Sequence, residues 1–98
     1  MSEINQTEVD AVMVGLARAR SSELAAREAR DRLIARLARD GNGHRAIAAA
    51  LRASIDRLPQ LAPDLPAMAD HDLGTSESAV RLACRVENAA GRQAALIQ

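Results

Sequence analysis

Glu77, Arg81, Arg85, Asn88 and Arg92 recur at intervals of four, four, three and four near the carboxyl end, which on a helix sets them along one stripe. The residue types in that stripe suit one chemistry. Arg forms paired hydrogen bonds with phosphate or with the outer edge of guanine, and Asn reads adenine in the same way. Ser78, near the start of the same segment, adds a hydroxyl for a phosphate or a base. The same stripe is also what any helix packed on its other three sides shows to water, and it serves equally as a surface for a protein partner.

Other chemistries find little support. His44, His71 and Cys84 are the strong soft-metal candidates, and no pair among them has the spacing of zinc ligands. His71 between Asp70 and Asp72 reads as a solvated acidic turn, and Cys84 as a small core residue. The serines stand at caps and turns without the His and carboxylate partners of a nucleophile, and Gly41 and Gly43 are followed by no Lys that would make a phosphate loop. The expectation is a protein with no catalytic residue, no cofactor and no metal. A single Cys closes no disulfide within the chain, and no apolar run approaches a signal core or a membrane span. A soluble, cytoplasmic protein without a membrane partner is expected.

The elements that position the stripe are helical. Asn5 with Glu8 three residues on forms a variant capping box, and Ile4 can reach Val9 as a hydrophobic staple. From there Val12, Leu16, Ala19, Ala26, Ala29, Leu33 and Leu37 keep one face apolar, so residues 5–39 form either one long helix or two with a break near Ser21 or Ser22. Glu23 with Arg27, Glu28 with Arg32 and Arg36 with Asp40 are four apart and mark a solvated face. Gly41, Asn42 and Gly43 end that stretch. Ile47, Leu51, Ile55 and Leu58 predict a helix over 44–58, and all three prolines fall in an acidic connector over 59–72, with a short helix beginning at Asp64 or Leu65. Ser76 then caps a helix over 76–92.

Within the run from Arg30 to Ser54, the residues Gly43, Arg45, Ile47, Ala48, Leu51 and Ser54 resemble the front of the helix-turn-helix shared by sigma-factor region 4, resolvase tails and small bacterial and phage regulators. There a Gly-led turn precedes Arg-x-Ile-Ala-x-x-Leu-Gly-x-Ser. Arg52 stands where that family has Gly, and Pro59 stops within one turn any helix that starts at Ser54. Leu73, Gly74, Thr75 and Ser76, with Val80 four beyond, supply the missing turn. Two assemblies follow. Either helix 44–54 pairs with the helix after Ser76 across a long insertion, or residues 65–90 form the motif alone, with Asp70 where the family keeps a small apolar residue. The resemblance covers residues 30–54 and 73–86. It implies an all-α fold, a small helical bundle with a helix-turn-helix-like element, acting on double-stranded DNA as a transcription regulator. Its DNA contacts would come from Ser76, Ser78, Arg81, Arg85, Asn88 and Arg45.

Composition sets the bounds. Ninety-eight residues make one domain, and without Phe, Tyr or Trp its core must be built from Leu, Ile, Val, Met and Ala. All 13 basic residues are Arg, as a GC-rich genome would give, and net charge is zero. The charge is unevenly spread, because residues 18–52 carry nine Arg against four acids, whereas residues 56–77 carry five acids against Arg57. Leu33, Leu37, Ile47, Leu51, Leu73, Val80 and Leu82 are the expected core. The apolar face of the first helix, led by Val9, Val12 and Leu16, is expected to hold a homodimer together. Neutrality keeps a different class open: a helical adaptor or inhibitor that binds proteins, its acidic connector docking on a basic partner.

Overall fold

Asn5 turns the extended chain into helix α1 (Gln6–Arg18), its side-chain oxygen accepting the backbone N–H of Glu8 at 3.3 Å. The computed structural model describes residues 4–19, 24–65 and 75–97, with the side chains of 89–97 excepted. Most of those residues are helical, and no strand occurs among them. Val9, Met13 and Leu16, spaced four and three apart, share one face of α1 and are completely buried, with Ile4 packed at the edge of the same core.

Helix α2 (Leu24–Arg39) folds back along α1. Arg36 pairs with Glu8, 28 residues earlier, a separation that a continuous helix would stretch to about 42 Å at its usual rise. The amino-terminal region is therefore two helices. The break expected near Ser21 and Ser22 lies outside the described residues, α1 being capped at Ala19. Glu8 thus pairs across to α2, while Asn5 alone makes the side-chain cap bond given above.

Gly41 ends α2 because only a residue free of a Cβ adopts its φ of 102° without strain. Its N–H reaches the Ala38 carbonyl and that of Asn42 the Leu37 carbonyl, both at 3.1 Å, so two orphan carbonyls at the helix end are satisfied. Helix α3 (His44–Asp56) follows, burying Ile47, Leu51 and Ile55 on one side. It stops two residues short of the expected Leu58. The chain then forms one further turn, α4 (Leu58–Leu61), with Pro59 in the first turn, where no N–H is needed. Leu58 and Ala62 are buried, so the start of the expected connector belongs to the core. Asp64 receives both terminal nitrogens of Arg18, at 2.6 and 3.2 Å, which ties the connector to the end of α1.

Helix α5 (Glu77–Ile97) begins as expected at Ser76, whose Oγ accepts the Ala79 N–H at 3.1 Å, and runs five residues beyond the expected end at Arg92. Helices α1 and α5 each pack on both α2 and α3, giving a small helical bundle. Leu33, Leu37, Ile47, Leu51 and Val80 lie in its core as expected, and Leu73 lies outside the described residues. Leu82 does not belong to the core, being 55 % exposed. It stands two residues from buried Val80 and two from buried Cys84, hence about 200° round the helix from each.

The surface assigned to a homodimer is also corrected. Val9 and Leu16 have no exposed surface, and Val12 is half-buried, because α2 and α3 cover that face within the same chain. A helix hairpin supplied the cover that a second copy was expected to provide.

Candidate nucleic-acid interface

Over residues 77–88 the buried side of α5 is narrow. Val80, Ala83 and Cys84 face α2 and α3, while Ser78, Arg81, Leu82, Arg85, Val86 and Asn88 are exposed. At about 100° per residue these exposed positions cover roughly half of the circumference, with Arg81, Arg85 and Asn88 adjoining and Leu82 and Val86 beside them. A polar stripe on a helix packed on three sides is therefore not what forms. The outward half is part cationic and part apolar.

Arg81 lies 3.4 Å from Glu77, one turn earlier, and both side chains are about half exposed, an arrangement that holds the guanidinium only loosely. Arg85 has no carboxylate partner among the described residues. Ser76 uses its hydroxyl oxygen as the cap acceptor, which places it at the helix entrance. Arg45 is exposed in the first turn of α3.

A groove of about 320 Å³ opens where α2, the start of α3 and α5 meet, and Arg81, Arg85 and Asn88 form its α5 side. Ala35, Ala38 and Arg39 line it from α2 and His44 from α3, with Cys84 among the remaining lining. Burial pushes the Cys84 thiol up from its usual range, opposed by the positive charge of Arg39, so it stays protonated at neutral pH. Arg39 was not singled out by the sequence, where it reads as one Arg of a basic block. The only local signal is its position two residues before the Gly41 turn that starts the chain toward α3.

Ser54, which the resemblance makes the turn residue before a second helix, has another role. It is completely buried inside α3, donates its hydroxyl to Asp10 at 2.6 Å and accepts from Gln6 Nε2 at 2.8 Å. Gln6 also donates to the Ala50 carbonyl at 2.9 Å, and Arg57 lies 2.8 Å from the other Asp10 oxygen. These groups join α1 to α3 across more than 40 residues of chain. Helices α3 and α5 are in contact, as the first of the two assemblies requires. The short helix on which the second depends falls mostly in residues 66–74, outside the described residues, as do Leu73, Gly74 and His71.

Among the described residues no group of three or more His, Cys, Asp or Glu is placed to hold a metal, and no helix is long and apolar enough to cross a membrane. No family model, curated protein or solved structure matches the chain.

Proposed function

We propose that this chain is a DNA-binding regulator of the helix-turn-helix kind that presents α5 to the major groove of double-stranded DNA. The observation that carries the reading is the outward arc of α5, where Ser78, Arg81, Arg85 and Asn88 share the exposed side with Leu82 and Val86. A helix about 10–12 Å across fits a major groove about 12 Å wide. Arg81 and Arg85 would pair with guanine or phosphate, Asn88 with adenine, and the two aliphatic side chains with thymine methyl groups. Arg45, in the first turn of α3, would hold the backbone.

The test is titration of labelled duplexes, selected on the parent protein from a random pool, against the folded double variant Arg81→Ala, Arg85→Ala. Where an Arg pairs with a base, its removal should cost about 1–3 kcal/mol on the selected site. Where it pairs with phosphate, its removal should weaken binding to all sequences and lower the salt slope by about one. Both side chains are exposed, so thermal stability should stay within about 0.5 kcal/mol of the parent. A folded double variant that binds as well as the parent at two salt concentrations would remove α5 from the interface.

A protein-binding module without a nucleic-acid role is the second reading. It is favoured by Leu82 and Val86, adjoining on α5 and more than half exposed, and by the zero net charge. Homodimerisation stays part of the first reading only if it uses a face other than that of α1.

A further inference from the structure

We infer that the groove between α2, α3 and α5 is a binding site for a small phosphate monoester. Its volume of about 320 Å³ lies at the low end for small-molecule pockets, which run from roughly 300 to 1,000 Å³. Its charge is one-sided. Arg39, Arg81, Arg85 and His44 line it with no carboxylate among the lining residues, and Arg39 and Arg85 have no ionic partner among the described residues. Arg81 has Glu77 at 3.4 Å, outside the lining, while elsewhere Arg18, Arg30, Arg36 and Arg57 are each paired with an acid. Guanidinium groups gathered round one concavity with no carboxylate on its lining repel each other until an anion enters, and their forked donors match phosphate oxygens.

The end of α3 at this groove adds to that field. His44 is its first residue, and Gly43, at the cap position, has no side chain to occupy the amides of the first turn. Those amides and the helix dipole favour the same negative ligand. Ala35, Ala38 and Cys84 give the groove an apolar part that a bare inorganic ion would leave unused. A phosphate carrying a small organic body uses both parts. The site stands on its own, without the DNA reading. If that reading holds as well, an occupied groove would engage Arg81 and Arg85 and so withdraw them from a duplex.

The experiment is titration of the full chain, free of DNA, with inorganic phosphate and with phenyl phosphate, following amide and Arg Nε signals by NMR at constant ionic strength set with chloride. Saturable shifts centred on His44, Arg39, Arg85 and Asn88, tighter for phenyl phosphate, are expected. The double variant Arg39→Gln, Arg85→Gln should bind at least about tenfold more weakly. Gly43→Asp provides an independent check, because a Cβ there meets nothing within 4 Å and its backbone is extended. A carboxylate cap should raise thermal stability and at the same time weaken phosphate binding by about tenfold or more. Shifts spread equally over Arg27, Arg32 and Arg52, unchanged affinity in the folded variants, or groove signals that answer a DNA duplex but neither phosphate probe would overturn the proposal. The last outcome would assign the groove to backbone phosphate alone and leaves the DNA reading standing, whereas failure on DNA with success on phenyl phosphate would leave the groove.

Discussion

Where α3 meets α1, Asp10 is 6 % exposed and takes hydrogen bonds or ion pairs from Ser54, Gln6 and Arg57; where α3 meets α2 and α5, Arg39, Arg81, Arg85 and His44 share a groove with no carboxylate on its lining. Both are polar places beside an interior built mostly of Leu, Ile, Val, Met and Ala. In the first, each donor has an acceptor, and the result is a joint. In the second, three guanidinium groups are gathered, and two of them, Arg39 and Arg85, have no ionic partner among the described residues. Charge that a fold balances for itself holds the fold together, and charge left unbalanced beside a cavity is available to something else.

The comparison can be broken first at the joint's apolar surroundings. Leu16→Ala should cost about 2–5 kcal/mol, the usual range for a completely buried leucine. If α1 were instead a dimer face, the variant would remain folded and only dissociate. Thermal melting together with light scattering separates the two outcomes.

Asp10→Ala comes next. It leaves the Ser54 hydroxyl and the Arg57 guanidinium without their acceptor, and a destabilisation of about 2–3 kcal/mol is expected, below the full value for a buried pair because Arg57 is half exposed. Denaturant unfolding measures it. An effect no larger than that of a surface substitution would mean that the joint does not hold α1 to α3.

Two buried hydroxyls sharpen the contrast between a satisfied group and an orphan. Ser54 is bonded on both sides, whereas Thr75, just before the α5 cap, is 2 % exposed with no hydrogen-bond partner for its Oγ1 among the described residues. Ser54→Ala should destabilise by about 1–2 kcal/mol, and Thr75→Val should be neutral or stabilise by up to about 1 kcal/mol. Melting temperatures that move the same way in both variants would contradict the assignment.

The smallest effect is expected at the Arg18–Asp64 pair, which is exposed on both sides. The Arg18 guanidinium holds the Asp64 carboxyl below its usual range. A lowered folded-state value means that the contribution is present above the unfolded value, near 3.8, and is lost as pH falls through the lower folded one. Stability measured from about pH 5 down to about pH 2 should therefore fall slightly less steeply in Arg18→Ala than in the parent. An identical acid limb would show that solvent screens the pair completely.

The sequence determined the helices by local rules that need no partner. Asn5 and Ser76 cap because their side chains reach amides three residues on, Gly41 ends α2 because it alone tolerates its backbone angle, and Ile47, Leu51 and Ile55 share a face because of the helical period. Arg81, Arg85 and Asn88 were legible as one stripe for the same reason. What tertiary structure decided is what each face meets. The covering of Val9 and Leu16 by α2 and α3, the exposure of Leu82, the pairing of Asp10 with Ser54 and the entry of Arg39 into the groove all depend on which helices lie side by side. Periodicity specifies direction round one helix axis and carries no information about the neighbour waiting there, so residues more than 40 positions apart become partners only when the chain has folded back on itself.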